Sequence, residues 1–153
     1  MTPKKLFNVF ARAEAVTWTL LISALIARAA GLDPALVGIA GGIHGAVFLG
    51  YAVTAALTGV NQRWGFGKTA LAVGLAIVPF ATVPFEIRLQ KNGSLEGSWR
   101  TTVSDDPRDA GFIDKLFRWF IARPITLILV IVLGLTALFV LLLSLGSPTT
   151  WFD

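Results

Sequence analysis

The chain has 153 residues, of which 55% are hydrophobic and 14% are charged, whereas a soluble domain carries about 25% charged residues. Its mean hydropathy is +0.73, which excludes both a water-soluble globule of this length and a disordered chain. Cysteine is absent and His44 is the single histidine, so disulfides, iron–sulfur clusters and multi-histidine metal sites are excluded and no cofactor is expected. The net charge of +4 comes from basic residues that flank apolar runs, which indicates membrane topology rather than nucleic-acid binding.

Four apolar runs are long enough for membrane-spanning helices, which need about 20 residues each. In chain order they cover approximately residues 7–27, 37–59, 69–89 and 125–145. Pro79 and Pro84 lie in the third run and are expected to bend it, because each removes a backbone donor. The sequence therefore predicts an all-α polytopic membrane protein with four transmembrane helices.

A short amphipathic segment precedes the fourth run. Phe112, Leu116, Trp119 and Phe120 recur at helical spacing, which predicts a helix lying at the membrane interface. Basic residues beside this apolar face are candidates for binding lipid head groups. They are Lys115, Arg118 and Arg123.

The apolar and polar runs predict three parts of the chain. Residues 1–90 form a three-helix membrane domain, residues 91–120 a polar loop with the interfacial helix, and residues 121–153 the fourth helix and a short tail. With four spans, eight Lys and Arg residues lie on the side of the 90–120 loop and five on the side of the termini. The positive-inside rule then predicts a cytoplasmic loop in a multi-pass protein of the inner (plasma) membrane, with both termini outside.

Ionisable residues inside the predicted spans are candidates for functional contacts, because such groups are costly in hydrocarbon. At about 1.5 Å of rise per residue, His44 lies level with Glu86, and Glu14 lies level with Tyr51. We expect Glu86 to accept a hydrogen bond from the His44 ring, and Glu14 to accept one from the Tyr51 hydroxyl. Such contacts would fix the packing of the helices or, alternatively, form a proton relay.

Small residues crowd the start of the second run. Gly41 and Gly45 form a G-x-x-x-G motif, a spacing that lets another helix approach the backbone closely. The partner helix could belong to this chain or to another protein.

Three strings carry a family resemblance: AEAVTW at residues 13–18, IHGAVFLGY at 43–51 and PFATVPFE at 79–86. With its E-A-x-[ST]-W, H-G and F-E elements in this order, the chain resembles a three-helix bacterial membrane-domain family of unknown function that is common in actinobacteria. The resemblance covers about residues 5–89, so the fourth helix is additional. It implies a small integral membrane protein without assigned chemistry.

Nucleotide-binding loops, dinucleotide fingerprints, serine-nucleophile elbows and the zinc motif H-E-x-x-H are absent from the sequence, so we expect no enzyme. We expect instead a non-catalytic accessory or assembly subunit of a larger membrane complex. Its partners would be membrane lipids and other integral membrane subunits, without nucleic acid. By analogy, the respiratory bc–oxidase supercomplex of actinobacteria, which carries small accessory subunits, is one candidate complex.

Two other functions stay open from the sequence. One is a small oligomeric transporter or channel, proton-linked, with Glu14, His44 and Glu86 along its path. The other is a lipid-binding envelope protein that uses the basic interfacial segment.

Overall fold

The computed structural model describes residues 1–144, apart from the side chains at positions 138, 139, 142 and 143. Over these residues the chain is helical, without β-strands, and it divides into two compact units, one from Met1 to Trp99 and one that begins at Arg100. The all-helical membrane class predicted from the sequence is confirmed. The end of the fourth predicted span at Leu145 and the tail after it lie outside the described residues.

The first unit is built on two long helices, α1 (Pro3–Ala29) and α2 (Ala35–Asn61). Each has 27 residues, about 40 Å of helix, and each is long and apolar enough to cross a membrane. The Thr2 side chain caps α1 by accepting a hydrogen bond from the Lys5 amide. Between the helices Gly31 adopts a φ of 86°, which glycine tolerates without strain, and the short turn returns α2 antiparallel to α1.

Most side chains buried in this helix pair are polar or small, with Phe7 and Tyr51 as the large exceptions, while many large apolar side chains point outward. Glu14 and Thr17 of α1 and His44 of α2 are buried, whereas Leu20 and Ile39 are exposed. This distribution is the reverse of that in a soluble protein. It suits helices whose outer surface faces lipid tails and whose polar groups must find partners inside.

The third predicted span has a different form from the expected bent helix. It comprises α3 (Phe66–Gly74), a 3₁₀ turn (Leu75–Ile77) and α4 (Thr82–Lys91). Val78 is extended, with φ −101° and ψ 120°, as the residue before a proline prefers, and Phe80 adopts a φ of 65°. Pro84 lies in the first turn of α4, where a missing amide costs little. The helix is therefore interrupted at residues 78–81.

The interrupted segment is a re-entrant hairpin, because its two ends lie side by side. Trp64 Nε1 donates to the Ser94 carbonyl oxygen at 3.3 Å, and Lys68 Nζ donates to Ser94 Oγ at 3.0 Å. The outgoing arm has 12 residues, about 18 Å of helix, which is little more than half of a bilayer core. The hairpin (residues 66–91) thus enters the bundle from one end, reverses at its middle and returns.

The chain leaves the first unit at the end where it began. Lys4 Nζ lies 2.8 Å from Glu96 Oε1, and Trp99 Nε1 donates to the Met1 carbonyl oxygen at 2.8 Å. Gln62 Nε2, just after α2, donates to the Glu96 carbonyl oxygen at 2.8 Å. This end is called the Met1 end below.

The second unit contains a 3₁₀ turn (Pro107–Ala110), α5 (Phe112–Ile121) and α6 (Pro124–Ser144). The 21 residues of α6 extend about 31 Å and carry no charged side chain. The axes of α5 and the start of α6 are bent by 108°. By length and composition α1 and α2 each qualify as membrane spans, and the bent pair α5–α6 counts as a third if it is one span.

Candidate functional site

The interruption of the hairpin frees backbone carbonyl groups inside the bundle, and two side chains of the long helices take them up. Tyr51 of α2 donates its hydroxyl proton to the Ala72 carbonyl oxygen at 3.0 Å. Trp18 of α1 donates from Nε1 to the Ala76 carbonyl oxygen at 3.3 Å. Irregular backbone at membrane depth needs such partners, because lipid supplies none.

Glu14 lies at the centre of these contacts and is fully buried. Its Oε1 accepts a hydrogen bond from Trp18 Nε1 at 2.7 Å, and its Oε2 lies 3.0 Å from the hydroxyl of Thr82, the first residue of α4. The same hydroxyl lies 3.1 Å from the Ala11 carbonyl oxygen. An acidic group is favourable at a helix N-terminus, so Glu14 joins α1 to α4, while Trp18, which donates to Glu14, also reaches the outgoing arm at Ala76.

His44 extends this polar cluster to α2. Its Nδ1 lies 3.0 Å from Thr17 Oγ1, and the same hydroxyl donates to the Glu14 carbonyl oxygen at 3.0 Å. The Trp18 ring packs on the imidazole with centroids 4.4 Å apart. We call Glu14, Thr17, Trp18, His44 and Thr82 the Glu14 cluster.

The pairs predicted from helical depth are wrong. Glu86 is buried, but its Oε1 accepts from the side chain of Gln90, one turn along α4, and not from His44. Tyr51 donates to the hairpin backbone and not to Glu14. The depth calculation assumed a third helix that crosses the whole membrane, whereas α4 returns toward the Met1 end and carries Glu86 away from the level of His44.

Thr17, Trp18 and Thr82 were not named as contact residues from the sequence. Thr17 and Trp18 follow Glu14 by three and four residues, which places them beside it on a helix and could have identified them. Nothing in the sequence singles out Thr82, because its position depends on the reversal at residues 78–81.

Within the described part of this chain, helices approach closely at other glycines than Gly41 and Gly45. A Cβ at Gly45 would meet no atom within 4 Å, and one at Gly41 would make an ordinary contact with Leu21 at 3.9 Å. A Cβ at Gly59 would lie 2.5 Å from Thr69 Oγ1 and 2.7 Å from its Cγ2. One tight contact is thus between the end of α2 and the start of α3, and a second joins Gly50 of α2 to the Phe10 ring of α1.

The three predicted head-group ligands separate into two kinds. Arg118 is buried; its Nη1 lies 3.2 Å from Asp109 Oδ1 and its Nη2 donates to the Asp109 carbonyl oxygen at 2.6 Å. Lys115 and Arg123 are exposed. The expectation that Arg118 contacts lipid is therefore corrected, because its guanidinium is occupied within the loop.

The side chains of the Glu14 cluster form hydrogen bonds with one another and with backbone carbonyl oxygens of α1 and the hairpin. Across residues 1–144, no three His, Cys, Asp or Glu side chains are grouped so as to hold a metal ion. The arrangement fixes the reversal of the hairpin against α1 and α2.

Comparison with known proteins gives a family and a distant relative. The model of a family described as a domain of unknown function, DUF3817, matches residues 4–91, which span α1, α2 and the hairpin. A protein of Streptomyces coelicolor, named provisionally as a membrane protein, is 34% identical to this chain over 91 residues. The matched part is 58% of this chain and 11% of that relative. The chain thus matches about a tenth of the relative's length. No solved structure matches the chain.

Proposed function

This chain belongs to the DUF3817 family, and from that premise we propose that it is a non-catalytic accessory or assembly subunit of a larger membrane protein complex. The observation that carries the proposal is an exposed face on the half of α2 that the hairpin does not reach, which the other residues of the first unit do not cover. Trp18 contacts both the hairpin turn and His44, so the hairpin reverses near the level of His44. The turns of α2 that precede His44 therefore lie beyond the reach of the hairpin. Small residues line an exposed face there: Ala35, Gly38, Gly42 and Ala46.

This face is suited to a helix of another subunit. A Cβ at Gly38 or Gly42 would meet no atom within 4 Å, and small residues spaced by four let helix backbones approach closely in lipid. In lipid a close-fitting helix gains packing contacts that acyl chains do not supply. The Glu14 cluster then has a structural task, which is to hold the hairpin at half depth and keep the face open.

A photo-crosslinking amino acid at position 42 tests the proposal, with position 56 as the matched control, since Ala56 is an exposed small residue elsewhere on α2. In native membranes we expect one discrete adduct from position 42, none from position 56, and loss of the adduct on Gly38→Ile. An adduct of twice the chain mass would point to a homo-oligomer and the transporter alternative. Absence of any adduct at position 42 would contradict docking at this face. Subunits of a respiratory supercomplex are among the products to look for.

We also propose an orientation, in which the Met1 end and the loop face the cytoplasm of the plasma membrane. Between Trp99 and Pro124 the described helices are a four-residue turn and the ten-residue α5, both too short to cross a bilayer. With a hairpin that returns, twelve of the 13 Lys and Arg residues fall on the side of the Met1 end. The exception is Arg28, next to the α1–α2 turn. This count of twelve against one agrees with the positive-inside rule far better than the count of eight against five that four crossing helices give.

Cysteine labelling tests the hairpin and the orientation together, because the chain has no cysteine of its own. Leu32→Cys lies in the α1–α2 turn and Ser98→Cys at the Met1 end, and both positions are exposed. In intact cells a membrane-impermeant maleimide should label Leu32→Cys at once and Ser98→Cys only after permeabilisation. Equal labelling would mean that residues 66–91 cross the membrane. The opposite pattern would keep the hairpin and reverse the orientation.

A further inference from the structure

The outer face of α5 is apolar and has no neighbour among the described residues of its unit that covers it. Phe112 is 78% exposed, Ile113 66% and Trp119 45%. With Leu116, these residues lie on one face of the helix, while Phe117 and Arg118 are buried on the other. Exposed aromatic and aliphatic side chains on a ten-residue helix require a cover in water.

The position of α5 along the chain identifies that cover as a membrane surface. Two residues separate α5 from α6, an uncharged helix of spanning length. Because the two axes are bent by 108°, α5 lies nearly parallel to the bilayer plane when α6 crosses it. Its apolar face then rests at the boundary of the acyl chains, where tryptophan is also favoured.

The inner face of α5 is held by a buried ion-pair cluster in the loop. Asp109 Oδ1 lies 2.9 Å from Arg100 Nη1 and 3.2 Å from Arg118 Nη1. Arg100 Nη2 also lies 2.6 Å from Asp114 Oδ1 on α5. These contacts fix the rotation of α5 about its axis, so the apolar face and the cations beside it are presented in one orientation.

Two exposed cations remain beside the apolar face. Lys115 has no ion pair among residues 1–144, and the Arg123 guanidinium lies 4.8 Å from the centre of the Trp119 ring. Arg123 Nη1 also donates to the Trp119 carbonyl oxygen at 3.4 Å. These contacts hold the guanidinium at the level of the lipid phosphates, and its other N–H groups can donate to a phosphate. We propose that Lys115 and Arg123, with Trp119, bind the head group of an anionic phospholipid.

Native mass spectrometry of the full chain in mild detergent tests the site. Phosphatidylglycerol and phosphatidylcholine with identical acyl chains are titrated in, and the bound lipids are counted. For the unchanged chain we expect phosphatidylglycerol to bind more tightly. In the double variant Lys115→Gln and Arg123→Gln this preference should fall about thirtyfold, which corresponds to about 1 kcal/mol for each cation removed.

A charge-matched control is available at the end of α4. The double variant Arg88→Gln and Lys91→Gln removes two exposed cations and should leave the preference unchanged. Equal losses in the two double variants, or equal binding of both lipids to the unchanged chain, would overturn the proposal. Inorganic phosphate at 10-fold excess over the lipid should not displace it; displacement would mean that the cations select a free anion and not a lipid.

Discussion

Each unit of this protein has a buried carboxylate at the centre of a cluster of contacts, Glu14 in the first and Asp109 in the second, and the partners of these two carboxylates differ in kind. Glu14 in the first unit is held by the neutral donors of Trp18 and Thr82. Asp109 in the second unit is held by the guanidinium groups of Arg100 and Arg118, and by the amide and hydroxyl of Ser104 at 2.7 Å.

The difference follows from the surroundings of each group. Cations are costly at membrane depth, so the first unit satisfies Glu14 with indole and hydroxyl groups that add no charge. In the described loop of the second unit, Phe117 is the large apolar side chain that is buried. One such side chain is too little apolar surface to form a hydrophobic core. There the ion pairs organise the chain, whereas in the first unit the hydrogen bonds complete an interrupted helix.

The largest expected effect is the loss of the Asp109 charge. Asp109→Asn leaves Arg118 buried without its ionic partner, and breaking a buried pair in this way costs about 3 kcal/mol. Because the loss falls within the second unit, amides of residues 104–118 should exchange hydrogen faster while those of α1 keep their protection.

Asp105→Asn is the matched control, because this substitution removes the same charge from the same loop at an exposed position. Its exchange pattern should equal that of the unchanged chain. Faster exchange throughout α1 in Asp109→Asn would show that the two units do not behave independently.

Glu14→Leu tests the other side of the comparison. It removes one of the two acceptors of Trp18 Nε1 and one of the two partners of the Thr82 hydroxyl, and the loss of these two hydrogen bonds costs about 2 kcal/mol. Glu14→Gln keeps an acceptor oxygen and should lose less than about 1 kcal/mol. The free energy of unfolding, measured by titration with SDS from mild-detergent micelles, distinguishes the two variants.

A Glu14→Leu variant as stable as the unchanged chain would contradict the structural role of Glu14. A carboxylate kept without benefit to stability would then favour the proton-linked transporter, and flux into liposomes should be measured with Glu14 and His44 both substituted.

The sequence predicts much of the fold because composition and length decide it. The predicted runs at 7–27 and 37–59 fall within α1 and α2, and the amphipathic segment at Phe112 is α5. The hairpin was missed because residues 69–89 are long and apolar enough to cross, and length alone does not distinguish a crossing from a reversal. The local signals were present: Val78 precedes a proline, Arg88 lies at the end of the apolar run, and Lys91 follows it.

The contacts of the candidate site depend on that one reversal. Glu14 and His44 are buried, in keeping with the principle that a polar residue in an apolar run turns inward. Their partners could not be predicted, because Thr82 and the Ala76 carbonyl reach the level of Glu14 only when α4 returns. The same reversal brings α3 against Gly59 rather than Gly45.

We expect close packing to contribute less to the stability of the first unit than the buried hydrogen bonds do. The substitution Gly59→Ala measures the contribution of close packing. The added methyl group would overlap Thr69, which should cost about 1–2 kcal/mol in the free energy of unfolding. Gly45→Ala adds the same group where no atom lies within 4 Å and should gain up to about 1 kcal/mol, because alanine favours the helix. If the two variants changed stability equally, α3 would not lie against the end of α2.

The smallest effect is expected for the ion pair between Lys4 and Glu96 at the Met1 end. Their side chains are 37% and 60% exposed, so water and salt screen the attraction that burial preserves at Asp109. A double-mutant cycle of Lys4→Gln and Glu96→Gln should give a coupling below about 0.5 kcal/mol, and 1 M salt should abolish it. A coupling above about 1 kcal/mol would show that the ends of the hairpin hold it as firmly as its turn does. In that case a charged pair, and not only neutral donors, would help to set the register of the first unit.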